Sequence, residues 1–151
     1  MSEEYNEDDV MQSPWMRWGK VGDNLHGTLI RVFSKTQVSL KTGQEEQVRV
    51  YEIKCDGGTY HQLDDKKMPI EPAIVISPGE LYKVADHFTI HDVMKNVKLG
   101  QKLKIAFTEE KASQKKGNAP MKIRKVYSKG TMDEAWLKEQ EEAMELGDQD
   151  F

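Results

Sequence analysis

The 151-residue chain has a formal net charge of −4, is 37% hydrophobic and 32% charged, and contains one cysteine. This composition is more polar than that of an average globular domain, so we expect one packed domain with unpacked ends. The chain has no apolar run near the roughly 20 residues that cross a bilayer, no signal-peptide pattern and no cysteine pair, which predicts a cytoplasmic protein without membrane attachment or disulfides.

The charge is distributed unevenly along the chain. Residues 1–14 carry five acids and no Lys or Arg, whereas 131–151 carry eight acids and one Lys. Because the whole chain carries −4, residues 15–130 carry +8, and 98–129 alone hold ten Lys or Arg against two Glu. A basic body between acidic ends indicates a polyanionic partner, with the ends as solubilising, competing or recruiting segments.

The predicted elements follow in chain order. Residues 1–14 are acidic and without periodicity, which predicts disorder. Strands are predicted at 24–33, where Gly27 indicates a bulge, and then in QVRVYEIK and AIVIS. Apolar spacing within 80–96 indicates a helix, and strands follow at 101–108 and 121–128. Thr131 and Glu134 form a possible capping box for a C-terminal helix over 131–146, which leaves 147–151 as an acidic tail.

This order predicts a mainly β fold. We expect residues 15–130 to form a five-stranded barrel like the oligonucleotide/oligosaccharide-binding (OB) fold, with one helix between strands 3 and 4. The C-terminal helix and the tail follow this domain. An SH3-like barrel or an α+β sandwich would give the same order of elements.

The sequence offers little for catalysis. His87 and His91 have the i, i+4 spacing of two metal ligands on a helix, but no acidic residue completes an H-E-x-x-H motif and no cysteine pair is present. Phosphate-binding, dinucleotide-binding and nucleophile-elbow motifs are also missing. We therefore expect a protein that is not an enzyme and that holds no metal or cofactor.

The basic segment predicts a nucleic-acid-binding hairpin. Strands 101–108 and 121–128 would pair, and in an OB barrel the loop between the last two strands flanks the nucleic-acid groove. Affinity for a polyanion grows with each phosphate neutralised. The candidate phosphate-binding residues of this hairpin are Lys102, Lys104, Lys111, Lys115, Lys116, Lys122, Arg124 and Lys125. The alternative is an exposed lysine-rich hairpin that only protects a sheet edge.

Single-stranded nucleic acids also need aromatic side chains on which bases stack. Val48 and Val50 are assigned to the core side of their strand, which places Arg49 and Tyr51 on the outward or groove-lining side. Tyr51 is therefore the first candidate for stacking. The remaining aromatic candidates are Trp15, Trp18, Phe33 and Tyr60, and Arg31 and Arg49 are candidate nucleic-acid-binding cations on the same strands.

The end of the chain carries a resemblance to a known family. A basic barrel followed by an acidic segment ending in Phe resembles the single-stranded DNA-binding proteins of bacteria and bacteriophages. The resemblance implies that the C-terminus docks replication and recombination proteins and competes with DNA for the groove. The matching residues here are Asp148, Asp150 and Phe151. Unlike the bacterial tails, this one has no proline or second hydrophobic residue directly before the Phe.

The expected function is therefore non-sequence-specific binding of single-stranded DNA in DNA replication, recombination or repair, in a bacterial or phage-infected cell. The expected partners are single-stranded DNA and, through the tail, replication or recombination proteins; a homo-oligomer is possible. Two alternatives remain open: a protein-interaction or inhibitor module without nucleic-acid binding, and an RNA-binding OB protein.

Overall fold

The computed structural model describes residues 13–39, 42–111 and 121–149. These residues form the strands β1 (Asn24–Val38), β2 (Glu45–Tyr60), β3 (Ile74–Ile76), β4 (Leu81–Ala85), β5 (Lys102–Lys111) and β6 (Met121–Tyr127). They also form helix α1 (Phe88–Met94), between β4 and β5, and helix α2 (Glu134–Gln149), after β6. The predicted mainly β class is thus confirmed for this part of the chain.

The strands form one antiparallel sheet. Its order is β3-β2-β1-β5-β6, and β4 pairs with a separate part of β2. Strand β1 pairs with β2 along its whole length and with β5 through Asn24–Thr28. The predicted pairing of the last two strands is confirmed, because β5 and β6 form an antiparallel hairpin.

Two irregularities bend β1. The pairing register with β2 shifts between His26 and Gly27, as the glycine in the sequence predicted, and again between Leu29 and Arg31. A bulge adds one residue to one strand and increases the local twist. After the second shift, Arg31 lies on the outer face of the sheet, although Leu29 two positions earlier is fully buried in the core.

The core lies on the inner face of this sheet. Leu103, Ile105 and Phe107 of β5 are buried, while Lys102 and Lys104, which alternate with them, are exposed, as the sequence predicted. They pack with buried residues of β1, β2, β4 and α1, namely Leu25, Leu29, Ile53, Val84, Ile90 and Met94.

The predicted helix over 80–96 is wrong in its first half, and the predicted count of five strands is wrong as well. Leu81–Ala85 is strand β4, paired with β2, and only Phe88–Met94 is helical. Leu81, Val84 and Phe88 mimic a helical spacing, yet Tyr82 and Val84 alternate into the core. Pairing with β2 overrides the local pattern, and α1 consequently lies between the fourth and fifth strands.

The helix starts differ from the prediction too. His87 caps α1, because its side chain accepts a hydrogen bond from the Thr89 amide. Helix α2 is capped by Asp133, whose carboxylate accepts from the Trp136 amide at 3.0 Å, and not by Thr131. Neither helix in the described part of the chain is long and apolar enough to cross a membrane.

Gly27→Ala is expected to lower the free energy of unfolding by about 1–3 kcal/mol, because the added methyl group would overpack the bulge. A Cβ at this position would lie 2.1 Å from the Lys54 carbonyl oxygen, which belongs to a paired strand and cannot move away. The matched control is Gly57→Ala, whose Cβ would meet only the exposed His26 side chain, at 3.0 Å. Urea unfolding of both variants checks this; equal losses would contradict it.

Candidate nucleic-acid interface

The segment before β1 alternates between the core and the surface. The Lys83 amide donates a hydrogen bond to the Pro14 carbonyl oxygen, and the Met16 amide donates one to the Lys83 carbonyl oxygen, both with N···O distances of 2.8 Å. The segment before β1 therefore runs parallel to β4. Met16 and Trp18 are buried in the core, whereas Trp15 and Arg17 point outward. The two-residue period is visible in the sequence PWMRW, and it places the two tryptophans on opposite sides of the segment.

Trp15 covers the outer face of the sheet. In the paired register, Phe33 lies opposite Val50, Lys35 opposite Val48, and Val50 opposite Ala85. Val50 is fully buried but lies outside the core cluster, and it lines the same cavity as Trp15. A cavity of about 300 Å³ lies here, lined by Trp15, Arg17, Lys35, Gln37, Val48, Val50 and Ala85.

Cations lie close to both aromatic rings of this surface. The Nζ atoms of Lys83 and Lys35 lie 4.7 and 5.2 Å from the centre of the Trp15 ring. The guanidinium carbon of Arg31 lies 4.3 Å from the centre of the half-buried Phe33 ring. Arg17, Arg31 and Lys35 are exposed. We call this surface the Trp15 face and define it as Trp15, Arg17, Arg31, Phe33, Lys35 and Lys83.

The prediction for Tyr51 is wrong, and so is the face assigned to its strand. Tyr51 is 1% exposed and its hydroxyl group donates to Asp86 Oδ1 at 3.0 Å, so burial and this carboxylate both raise the pKa of the phenol. The valines are on the outer face and Tyr51 is on the inner face. Arg49, on the Tyr51 side of β2, is exposed. Apolar residues occur on both sides of β2, because the outer side, with Val48 and Val50, faces Trp15 and the inner side faces the core.

Two further aromatic candidates belong to the core. Tyr60 is 6% exposed, and its hydroxyl group lies 3.2 Å from that of Tyr82. Trp18 is 8% exposed. Neither ring presents a face on which a base can stack, so the prediction that they line a groove is corrected.

Two of the predicted phosphate contacts are half-buried instead. Lys122 donates to the Trp18 carbonyl oxygen and lies 5.7 Å from the centre of the Phe107 ring. The guanidinium carbon of Arg124 lies 5.6 Å from the centre of the Trp18 ring, and burial lowers the pKa of Arg124 to about 10. These side chains cover core aromatics and hold the segment before β1 against β6.

The other basic residues of the hairpin form a second surface. Lys104 lies between His26 and Tyr127 in the pairing register, and Lys125 lies opposite Ala106. Lys102 pairs with Asp56, with 3.4 Å between nitrogen and oxygen. A cavity of about 340 Å³ opens beside them. We call this surface the Lys104 face and define it as His26, Lys102, Lys104, Lys125 and Tyr127.

Helix α2 starts between the two surfaces. The carboxylate of its cap, Asp133, accepts a 2.6 Å hydrogen bond from Thr28, which lies between His26 and Arg31 along β1. The pKa of Asp133 is lowered, chiefly by this bond. The Trp15 face and the Lys104 face are therefore separate patches on the outer side of β1.

The remaining predicted residues lie at the margins of the structure. Lys111 is exposed and ends β5, with its Nζ 3.7 Å from Glu109 Oε1. Asp148 belongs to α2, so the helix extends into the predicted tail. Lys115, Lys116, Asp150 and Phe151 lie outside the described residues.

A buried carboxylate anchors the segment that carries Trp15. Asp23 is 1% exposed and accepts hydrogen bonds from the amides of Gly19, Lys20 and His61, at 2.9–3.0 Å. It also bonds to His61 Nδ1 at 2.7 Å, and this bond is the main cause of the raised pKa of His61. Glu71 lies 3.3 Å from His61 Nε2 and adds to the same shift.

The histidines considered as metal ligands have structural contacts. His87 caps α1, and burial lowers the pKa of its ring. His91 Nδ1 bonds to Asp86 at 2.5 Å. Within the described ranges, no group of three or more His, Cys, Asp or Glu side chains is arranged to hold a metal ion.

The comparisons with known proteins add no family to this description. No protein-family model matches the chain, and no curated protein or solved structure matches it either.

Proposed function

We propose that this protein binds single-stranded DNA without sequence specificity and that the strand lies across the Trp15 face. One observation carries the proposal: two aromatic rings and three exposed cations share one outward surface, with the buried Lys83 against the Trp15 ring, beside a cavity of about 300 Å³. Stacked bases need only the aromatic faces, and phosphates need only the charges, so this chemistry tolerates any sequence.

The side chains differ in what they offer a strand. Trp15 and Phe33 supply stacking surfaces. Arg31 and Lys35 are exposed and can turn from a ring toward a phosphate at little cost in desolvation, and Arg17 is exposed beside them. Glu52, the acidic residue opposite Arg31 in the register, is held by a 3.0 Å hydrogen bond from Ser13.

We also propose that the fold is an elaborated OB-like barrel. If β3 is treated as an insertion, the order β1, β2, β4, α1, β5, β6 is three strands, a helix and two strands. In this order β1 pairs with the second strand, β2, and with the fourth strand, β5. This pairing supports an OB-like barrel.

The rest of the basic hairpin and the acidic end have secondary roles in this proposal. The Lys104 face adds phosphate contacts, and Lys111, Lys115 and Lys116 extend them. The C-terminal acids and Phe151 recruit replication or recombination proteins, so that a protected strand in a bacterial or phage-infected cell is passed to the enzymes that use it. The protein itself performs no catalysis.

A titration with a dT oligomer at several salt concentrations tests the proposal. Single strands release about 0.7 counterions per phosphate neutralised, so the three exposed cations of the Trp15 face alone predict a slope of log affinity against log salt of about −2, and the additional contacts of the basic hairpin make the slope more negative. Lys35→Ala is expected to make the slope about 0.7 less negative. The control is Lys95→Ala, which removes an exposed cation directly after α1 that pairs with Asp92.

The same titration separates the alternatives. Tighter binding of rU than of dT oligomers would favour the RNA-binding alternative. No binding of either strand at about 50 mM salt would overturn the proposal and leave the protein-interaction module. Duplex DNA of equal length should bind more weakly than dT, because its paired bases cannot reach the aromatic rings.

A further inference from the structure

We infer that the loop between β2 and β3 provides a second nucleobase-binding subsite, formed by Arg17, Gln62, Leu63 and Ile70 and adjoining the Trp15 face. The inference rests on the proposed function and deepens it, because it names where the next bases of the strand lie. The ligand is the base portion of a single-stranded polynucleotide.

A second cavity shares a wall with the first. It has a volume of about 320 Å³ and is lined by Arg17, Gln62, Leu63 and Ile70. Arg17 also lines the cavity at Trp15, so the two cavities have this residue in common. Leu63 and Ile70, 37% and 42% exposed, give apolar walls that suit the faces of a base. The Gln62 amide offers a donor and an acceptor to its edge.

The loop is built as a rigid hairpin, which favours a binding role. The Ile70 amide donates to the Gln62 carbonyl oxygen at 2.8 Å, and the Asp64 amide donates to that of Met68 at 2.9 Å. Asp64 Oδ1 accepts from the amides of Lys66 and Met68, both at 2.9 Å. A site fixed before binding loses less entropy when the ligand enters.

The base of this hairpin is fastened to the segment that carries Arg17. His61 bonds to Asp23 through both its amide and its ring. Gly19 lies so close to His61 that a Cβ would be 2.3 Å from the His61 carbonyl oxygen. The positions of the two cavities are therefore coupled by packing.

Two lysines at the tip of the hairpin can contact phosphates of a strand that continues past Arg17. Lys66 and Lys67 are exposed there, next to the exposed Asp65 and to Asp64, whose Oδ1 accepts hydrogen bonds from the amides of Lys66 and Met68.

The test compares Leu63→Ala/Ile70→Ala with Met68→Ala, a control on the same hairpin that removes a 58% exposed side chain outside the cavity. Affinity is measured by tryptophan fluorescence for dT oligomers of about 4 and about 12 nucleotides. The double variant is expected to bind the long oligomer about fivefold to tenfold more weakly and the short one unchanged, because the short strand fills only the Trp15 face. Met68→Ala should match the wild type.

The outcomes distinguish this inference from the function on which it rests. Wild-type affinity of the double variant for both oligomers, alongside weakened binding by Trp15→Ala, overturns the second subsite alone. Weakening by Lys66→Ala/Lys67→Ala without any effect of the double variant also overturns it, because the hairpin then contacts phosphates only. Failure of the wild type to bind either oligomer overturns both proposals.

Discussion

Trp15→Ala is expected to weaken binding of a dT oligomer by about tenfold to a hundredfold, the largest loss expected from one side chain. In the proposed complex the ring is the main stacking surface of the Trp15 face, and a stacked base contributes about 1–3 kcal/mol. Its loss also removes the partner that holds Lys35 and Lys83 over the surface, at 5.2 and 4.7 Å. Trp15→Phe should retain much of the affinity.

Tyr127→Ala is the matched control for this prediction. Tyr127 is 49% exposed and lies on the Lys104 face, so its removal tests whether any exposed aromatic near the basic hairpin would have the same effect. We expect a change of less than about threefold, because the strand's bases stack elsewhere. Fluorescence anisotropy with a labelled dT oligomer measures both variants. A larger loss for Tyr127→Ala than for Trp15→Ala would place the strand on the Lys104 face.

Asp23→Ala is expected to lower the free energy of unfolding by about 3–5 kcal/mol. The substitution removes a buried acceptor of four hydrogen bonds and leaves the amides of Gly19, Lys20 and His61 without it. The segment that carries Trp15 should loosen as well, so the variant should also lose affinity for DNA. Urea unfolding followed by tryptophan fluorescence measures the loss.

The Asp23–His61 contact also predicts a pH dependence of stability. Because the folded protein raises the pKa of His61, the stabilisation is fully present below the ordinary histidine pKa of about 6.5 and is lost as the pH rises through the folded value. The urea midpoint of the wild type should therefore fall over this range. Asp23→Asn should flatten the dependence, whereas Glu71→Gln, which removes the exposed neighbour of His61, should reduce it only partly. An unchanged slope in Asp23→Asn would contradict the assignment.

The elements with a clean two-residue period were predictable from the sequence. Strand β5 alternates lysines with apolar residues, and the structure buries Leu103, Ile105 and Phe107 accordingly. Gly27 predicted the bulge in β1, because a glycine inside a strand pattern is itself a local signal. Strand β4 was not predictable, because its apolar residues also fit a helical period and its pairing with β2 is a contact between distant parts of the chain.

The candidate site was predictable only in part. Trp15, Arg31 and Phe33 were selected because single strands require rings and cations, and they lie together on one surface. Tyr51 was misplaced because its strand is apolar on both sides, and only the tertiary position of Trp15 decides which side is the core. Lys35 and Lys83 were missed because each lies in a segment whose sequence carries no cluster of charge.

Photochemical crosslinking tests the central claim most directly. A dT oligomer substituted with 5-iodouracil is bound to the wild type, irradiated and digested with trypsin, and the modified peptides are mapped. Cleavage after Arg17 separates Trp15 from the buried Trp18, and cleavage after Arg31 and Lys35 isolates Phe33. The account predicts adducts on Trp15 and Phe33 and none on Trp18. Adducts confined to Tyr127, with both of those rings unmodified, would contradict it.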